Sequence, residues 1–236
     1  MKKTWVLLSI GIVLFSENAI AYDNKVAHKE ITDNAITSSI KTHEYLIDNL
    51  NLPMGIETFI NAHEIRKWLK DGSMLEDEPG CRASNHFHNP LRDWDESGMR
   101  DQPWFVSGWC SGGDYPAEDI NSAVHWATGH IAPVPPGDRL GTGNEWNWFR
   151  AREHFYTYLT GHDFYFNTVA DTVEEREEYF AKSLRALGQV LHLLQDMAVP
   201  AHVRDDFKSH LDWVGIRWGT SYKPWKWISE EFEHFV

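Results

Sequence analysis

One long amphipathic helix, predicted to begin after Thr172 and to continue to about Met197, most constrains what this sequence can fold into. Thr172 and Glu175 have the Thr-x-x-Glu spacing of a capping box, which marks a helix N-terminus. The apolar residues that follow alternate spacings of four and three, which predicts one stripe facing a core. They are Phe180, Leu184, Leu187, Leu191 and Leu194. The acidic residues 171–178 are expected to form a solvated first turn, where carboxylates favour the helix dipole.

Four further segments have helical patterns, and loops rather than strands separate them. They are residues 28–51, 56–70, 117–128 and 146–159. The first is expected to stop at the Asn-Leu-Pro of residues 51–53, and the second at Asp71-Gly72. Residues 79–116 and 132–144 are rich in Pro, Gly and Asn, so we expect long, partly structured loops there. No strand pattern of comparable strength and no internal repeat is present, and the sequence therefore predicts an all-α fold.

The N-terminus has the three parts of a secretory signal peptide. Lys2 and Lys3 precede an apolar run over residues 5–15, and Ala19-Ile20-Ala21 forms a small-residue cleavage site. The apolar run is too short to span a bilayer. We therefore expect residues 1–21 to be removed and the domain of residues 22–236 to be secreted or periplasmic. Its last residue, Val236, lies in an unfinished helical pattern, which is typical of a domain truncated at its C-terminus.

Net charge and cysteine content limit the classes of partner and the compartment. Acidic residues outnumber basic ones by 35 to 22, so the net charge is −13. Such a surface repels polyanions and disfavours extended nucleic-acid binding, although a cationic metal site could still bind one phosphate. An oxidising compartment favours a disulfide between Cys81 and Cys110, and the alternative is two separate thiols. No obligate protein partner is indicated.

The C-terminal part of the long helix carries polar groups that its apolar stripe does not explain. His192 and Asp196 are four residues apart and project from one face, which Gly188 shares. Because glycine costs about 1 kcal/mol relative to alanine in a helix, we expect Gly188 to leave space for a neighbour. His202 follows just past Pro200, so a third metal ligand is available. The alternative is a hydrogen-bonded His-Asp pair that satisfies itself in the core.

Together with two upstream elements, this helix motif resembles the zinc-dependent phospholipase C and P1 nuclease superfamily. The family helix carries His-x-x-x-Asp followed by a histidine near a proline, matched here by His192, Asp196 and His202. A family loop of Ser/Asn-His-Phe-aromatic-Asp-Pro is similar to residues 85–90, Asn-His-Phe-His-Asn-Pro. A histidine early in the mature chain is matched by His28. The resemblance implies an exported multi-helix bundle with long loops that binds three zinc ions.

The resemblance also implies roles for individual residues. His86, His192 and Asp196 would bind one zinc, and Asp196 would bridge to a second. That second zinc would be held by His28 and by the α-amino and carbonyl groups of Tyr22. Asp77 matches the acidic residue that is a ligand or general base, which makes Asp77 and Asp196 the candidate catalytic residues.

The third zinc would be held by His202 with a histidine and a carboxylate from further along the chain. Glu233 is similar to the acidic member of that pair, but Ser229 stands where the family has its histidine. His210 could substitute from a different backbone position.

Three functions are compatible with these residues. The first is a phospholipase C-like hydrolase that cleaves phospholipid at the glycerol–phosphate bond, and the second is a P1-type nuclease or nucleotidase. The third is a non-catalytic exported zinc-binding domain. Residues 211–227 mix tryptophans with basic residues, which is typical either of transient contact with a membrane surface or of an aromatic loop packed over the core. The expected substrate is a phospholipid or another phosphodiester.

Overall fold

A computed structural model describes residues 24–78, 80–99, 121–129 and 144–204. Of the described residues, 65% are helical and 4% lie in strands, which confirms the predicted all-α class. Seven α-helices lie in the described part of the chain. They are α1 (Asn24–Ser38), α2 (Ile40–Glu44), α3 (Ile65–Leu75), α4 (Ala123–Thr128), α5 (Trp148–Thr160), α6 (Val173–Asp196) and α7 (Pro200–Arg204). In this part of the chain, no helix combines the length and apolarity needed to cross a membrane.

The long helix α6 begins as its sequence predicts. The Thr172 side chain accepts a hydrogen bond from the Glu175 backbone N–H at 3.1 Å, and the Glu175 carboxylate accepts one from the Thr172 N–H at 3.0 Å. Hydrogen bonds from the backbone N–H groups of Thr172 and Asp171 lower the pKa of the Glu175 carboxyl. Glu174 and Glu178 are also exposed, so the acidic run is the solvated first turn that we predicted.

Helix α6 is the central element, and α3 and α5 pack along it. Phe180 and Leu184 of the predicted stripe are buried, and Leu187 and Leu191 are partly buried against them. The prediction was wrong for Leu194, which is 67% exposed. Near the C-terminal end of α6, His192 lies on the side of the helix that faces the core. Leu194 is two residues later, about 200° around the helix axis, and so faces solvent. Leu193 is buried in its place.

The predicted first helix is divided into three parts. α1 ends at Ser38, α2 begins after Ser39, and a π-helical turn covers Tyr45–Asn49. Ser39 has extended backbone angles, and its side chain accepts a hydrogen bond from the Thr42 N–H at 3.2 Å. An N-cap serine therefore restarts the helix.

The prediction of one helix over residues 56–70 was wrong at both ends. A 3-10 turn (Gly55–Glu57) and a two-stranded hairpin, β1 (Phe59–Ile60) with β2 (His63–Glu64), precede α3. The hairpin turns at Asn61 and Ala62, whose φ angles are 45° and 72° and thus incompatible with a continuous right-handed helix. α3 then continues past Gly72 to Leu75.

Gly72 lies inside α3 because the backbones of α3 and α6 almost touch there. A Cβ atom on Gly72 would lie 2.4 Å from the Arg185 carbonyl oxygen, and one on Gly188 would lie 2.3 Å from the Leu69 carbonyl oxygen. The space beside Gly188 is therefore filled by the α3 backbone. This contact fixes the end of α3, and the residues that follow it, beside the C-terminal half of α6.

The other predicted elements agree with the structure where it describes them. Helix α5 begins after the N-cap Asn147 and ends at Gly161, whose φ is 77°. Ser122 caps α4, and residues 117–120 lie outside the described residues. Of the predicted loop 79–116, residues 80–99 contain two 3-10 turns, Gly80–Asn85 and Trp94–Glu96. The signal peptide, the partner cysteine Cys110, the loop at 132–143 and residues 211–227 lie outside the described part.

Ion pairs hold α1 against α3, and they lead to a first prediction. The Arg66 guanidinium donates to Asp33 at 2.6 Å, and Lys70 lies 3.1 Å from the same carboxylate. The hydrogen bond from Arg66 lowers the pKa of Asp33 to about 2. Because the folded pKa is below that of the unfolded chain, the pair stabilises the fold above about pH 4 and loses this effect as the pH falls toward 2.

We expect Asp33→Asn to lower the free energy of unfolding by on the order of 1 kcal/mol at neutral pH, after allowance for solvent screening of the half-exposed Arg66. Urea denaturation of both proteins across a pH series checks this. The difference between the two should narrow as the pH approaches 3, and a difference that stays constant with pH would contradict the ion-pair explanation.

Candidate metal centre

Six potential ligands from distant parts of the chain meet at the C-terminal end of α6. His28 comes from α1, Asp77 follows α3, and His86 follows the 3-10 turn Gly80–Asn85. His192 and Asp196 lie on the last turns of α6, and His202 lies on α7. None of these six residues exceeds 4% exposure. Each element therefore contributes a buried donor to one cluster, which we call the histidine–aspartate cluster.

The Asp196 carboxylate lies at the middle of this cluster. Its Oδ2 atom is 2.8 Å from Nδ1 of His86, 3.3 Å from Nε2 of His192 and 3.5 Å from Nδ1 of His202. Its Oδ1 atom faces the other way and is 3.6 Å from Nε2 of His28. The two carboxylate oxygens thus face different imidazoles.

The Asp196 carboxylate is fully buried, which normally requires hydrogen-bond or ionic partners. Among the described residues, neither oxygen of Asp196 accepts a hydrogen bond of normal geometry, although four imidazoles surround it. Nε2 of His86 is buried and lacks one as well. Buried polar groups are almost always hydrogen-bonded unless they bind an ion or water. The buried imidazoles and carboxylates of the cluster could therefore hold a cation, and a proton on His86, 2.8 Å from Asp196, is the alternative partner for that carboxylate.

Two groups of three residues could hold such a cation. One is His28, His192 and Asp196, and the other is Asp77, His86 and His192, with the ligand atoms of each group within 4.8 Å of one another. Oδ1 of Asp77 lies 3.6 Å from Nδ1 of His86 and 3.7 Å from Nε2 of His192. Imidazole and carboxylate donors in this arrangement suit zinc and also other divalent metals.

Hydrogen bonds orient two of the imidazoles toward Asp196. Nδ1 of His192 lies 2.6 Å from the Ser73 carbonyl oxygen and must donate to it, which leaves Nε2 with a lone pair. Nδ1 of His28 lies 2.7 Å from Oε1 of Gln195, and the Gln195 amide nitrogen donates to the Thr32 hydroxyl at 2.8 Å. In both rings the nitrogen directed at Asp196 is therefore the one able to bind a metal.

The charges of the cluster favour ionised carboxylates. Burial alone would raise the pKa of Asp196, but the surrounding His192, His202 and His86 hold it well below its usual range. Burial likewise opposes charge on His86, yet the adjacent Asp196 carboxylate raises the pKa of His86 to about 9. Without a metal, the charge on Asp196 is thus balanced by a proton on His86, which a cation would displace.

A second buried network, which the sequence analysis does not predict, lies beside the cluster. The Arg82 guanidinium donates to Glu76 and to Gln189, at 2.6 Å and 2.9 Å. Trp126 donates its indole N–H to Glu76 at 2.6 Å, and Oε1 of Glu76 lies 3.6 Å from Nε2 of His86. Burial opposes ionisation of Glu76, but Arg82 keeps its pKa below the usual value. The only signal was that Glu76 neighbours Asp77, and in sequence it looks the same as the exposed Glu78.

The structure brings together most of the residues that the resemblance predicts. His28, Asp77, His86, His192, Asp196 and His202 share one cluster. His202, expected at a third ion, lies beside Asp196, and its ring stacks on Phe87 at 4.8 Å. Tyr22, His210 and Glu233 lie outside the described residues.

Other residues of the loop 85–90 form hydrogen bonds or pack outside the cluster. His88 bonds to the Ser97 hydroxyl at 3.0 Å, and Asn85 accepts a hydrogen bond from the Asn121 N–H at 2.7 Å. Phe87 is buried. Of this loop, His86 is thus the residue that reaches the cluster.

A scan against models of known protein families, a search of curated proteins and a search of solved structures each found no significant match to this chain.

The contacts of Gln195 predict that it controls metal affinity without binding the metal. Gln195→Leu removes the acceptor for Nδ1 of His28, so the ring is free to rotate or to change tautomer. We expect metal affinity to fall about 10- to 100-fold, the usual cost of losing such a partner. Competitive titration against a chelating dye measures this change.

Gln195→Glu is the matched control, because a carboxylate can still accept from His28. Its metal affinity should stay closer to wild type than that of Gln195→Leu. Equal losses in the two variants would show that Gln195 acts only through packing.

Proposed function

We propose that this chain is an exported, zinc-dependent phosphodiester hydrolase of the phospholipase C and P1 nuclease type. Its preferred substrate is a phospholipid, cleaved at the glycerol–phosphate bond. One observation carries the proposal: four imidazoles surround the two oxygens of the buried Asp196 carboxylate, at 2.8 to 3.6 Å. They come from α1, α6, α7 and the loop that contains His86. A buried carboxylate surrounded by four imidazoles, without a hydrogen bond of normal geometry among the described residues, supports a bound cation as its partner.

The residues of the cluster divide into holding and proton-transfer roles. Because Oδ1 of Asp196 faces His28 and Oδ2 faces His86 and His192, this carboxylate could be shared by two ions, which these imidazoles would help to hold. Zinc, when bound, would activate water at neutral pH and compensate charge on the phosphoryl oxygens. The Asp77 side chain, which is 4% exposed, would orient that water or accept its proton.

The net charge of −13 is compatible with an anionic substrate under this proposal. Buried carboxylates are the counter-charges that several divalent cations require, and up to three zinc ions would make the local field positive. A third ion would be held by His202 together with His210 and Glu233. Attraction of phosphate would then be local, while the surface as a whole still disfavours long polyanions.

A paired assay tests the function. The natively purified, signal-processed chain is analysed for bound metals and its N-terminus is sequenced, which together check the ion count and the role of Tyr22. The zinc-loaded protein is then given phosphatidylcholine vesicles and single-stranded DNA in parallel. We expect lipid turnover; DNA turnover alone would instead make the chain a P1-type nuclease, and no turnover with zinc bound would make it a non-catalytic zinc-binding domain.

A further inference from the structure

A separate apolar groove of about 430 Å³ lies along the middle of α6, from Phe180 to Leu187. Its floor is formed by Phe180, Leu184 and Leu187 of α6 and by Ile65 and Leu69 of α3. Its two sides come from α2 with the π-helical turn and from α5. Pockets for small molecules usually measure about 300–1,000 Å³ and are mostly apolar, so this groove is of ligand-binding size.

The groove is distinct from the histidine–aspartate cluster. The groove residues of α6 extend from Phe180 to Leu187, whereas the cluster uses His192 and Asp196. The floor of the groove spans about 10 Å along the helix axis, at 1.5 Å per residue. None of the cluster residues lines the groove.

The inside of the groove favours hydrocarbon. Ser183 is the polar residue that α6 contributes to the lining, and its hydroxyl already donates to the Ala151 carbonyl oxygen at 2.8 Å. Thr42, on the α2 side, donates its hydroxyl to the Ser39 side chain at 2.8 Å. A ligand with polar groups along its buried part would therefore lose hydrogen bonds to water without replacing them.

The mouth of the groove carries positive charge and aromatic rings. Arg152 and Lys41 line it, with Tyr45 and Trp148 about half exposed beside them. Lys41 pairs with Glu44 at 2.7 Å, and the nearby Arg150 pairs with Glu153. Arg152 is exposed and forms no ion pair with any other described residue, in a chain where acids outnumber bases. Its guanidinium is thus available to a carboxylate, which it can bind through two parallel hydrogen bonds.

We propose that this groove binds a fatty acid, with its single hydrocarbon chain along α6 and its carboxylate at Arg152. The apolar lining, in which the Ser183 and Thr42 hydroxyls are already paired, favours an alkyl chain. Arg152 at the mouth, which has no ion pair among the described residues, favours an anionic end. The site goes beyond the proposed hydrolase activity, because it uses neither the metals nor the residues that hold them.

Isothermal titration of the full chain with dodecanoate, and in parallel with its methyl ester, tests the ligand. We expect dodecanoate to bind about tenfold more tightly than the uncharged ester. A tenfold difference in affinity is what one charge-assisted hydrogen bond typically contributes. Arg152→Gln should remove this preference, whereas Lys182→Gln, the same charge change outside the groove, should keep it.

Leu187→Trp, which fills the groove, should abolish binding of both compounds while circular dichroism shows that the helices remain. Equal affinity of acid and ester in the wild type would overturn the role of Arg152. No binding at all would overturn the proposal, and sedimentation would then show whether a second copy covers the groove. Because the titration needs no zinc, its failure is distinguishable from failure of the hydrolase assay.

Discussion

Asp196→Asn is expected to lose metal and activity together. The substitution keeps the shape of the side chain, but it replaces one carboxylate oxygen with an amide nitrogen that cannot bind a cation. Both oxygens of Asp196 face imidazoles, at 2.8 Å on one side and 3.6 Å on the other. We expect metal affinity to fall by more than about 100-fold, the upper end of what loss of an outer partner costs. Metal analysis after dialysis and phosphodiester turnover measure the two effects.

The matched control for this prediction is Asp33→Asn, the same change at another buried aspartate. Asp33 lies on α1, the helix that also carries His28, but its carboxylate is paired with Arg66 and Lys70 and not with the cluster. We expect the control to lose stability and to keep its metal affinity. Wild-type metal content and turnover in Asp196→Asn would refute the bridging role of Asp196.

The sequence could predict those cluster residues that are potential metal ligands, because metal binding requires particular residue types at particular spacings. The His-x-x-x-Asp spacing places His192 and Asp196 on one face of a predicted helix, and the resemblance adds His28, His86, Asp77 and His202. Glu76 and Arg82 could not be found in this way. A buried acid and base that neutralise each other look, in sequence, the same as charges on a surface, and only the fold shows that both are inaccessible to water.

The fold was predictable where local signals act alone. The capping box at Thr172 marks a real helix start, and the helical pattern over residues 146–159 matches α5 to within two residues. The hairpin before α3 was missed, because its turn uses Ala62 in a left-handed conformation that alanine rarely adopts. The sequence predicts a helix end at Asp71-Gly72, yet Gly72 lies inside α3 because of its contact with α6. That contact joins residues more than a hundred positions apart, and no local pattern records it.

Gly188→Ala is expected to destabilise the fold, and two opposing effects decide by how much. Alanine favours the helical state over glycine by about 1 kcal/mol. Against this, the new Cβ would lie 2.3 Å from the Leu69 carbonyl oxygen and 2.9 Å from the Ser73 backbone nitrogen. Both are backbone atoms, so no side-chain rotation relieves the overlap, and α3 must move away from α6. Overpacking of this kind costs about 1–3 kcal/mol and occasionally more. After subtraction of the helical gain, we expect a net loss of about 1 kcal/mol, and up to about 2 kcal/mol, in the free energy of unfolding.

Urea denaturation compares Gly188→Ala with Leu194→Ala, a substitution on the same helix at a side chain that is 67% exposed. The control should change the free energy of unfolding by no more than about 0.5 kcal/mol. Displacement of α3 should also move the Ser73 carbonyl away from His192, so metal affinity should fall in Gly188→Ala and not in the control. If Gly188→Ala proves as stable as wild type, the Leu69 carbonyl oxygen does not block the Cβ position of residue 188, and the cluster cannot depend on this contact between α3 and α6.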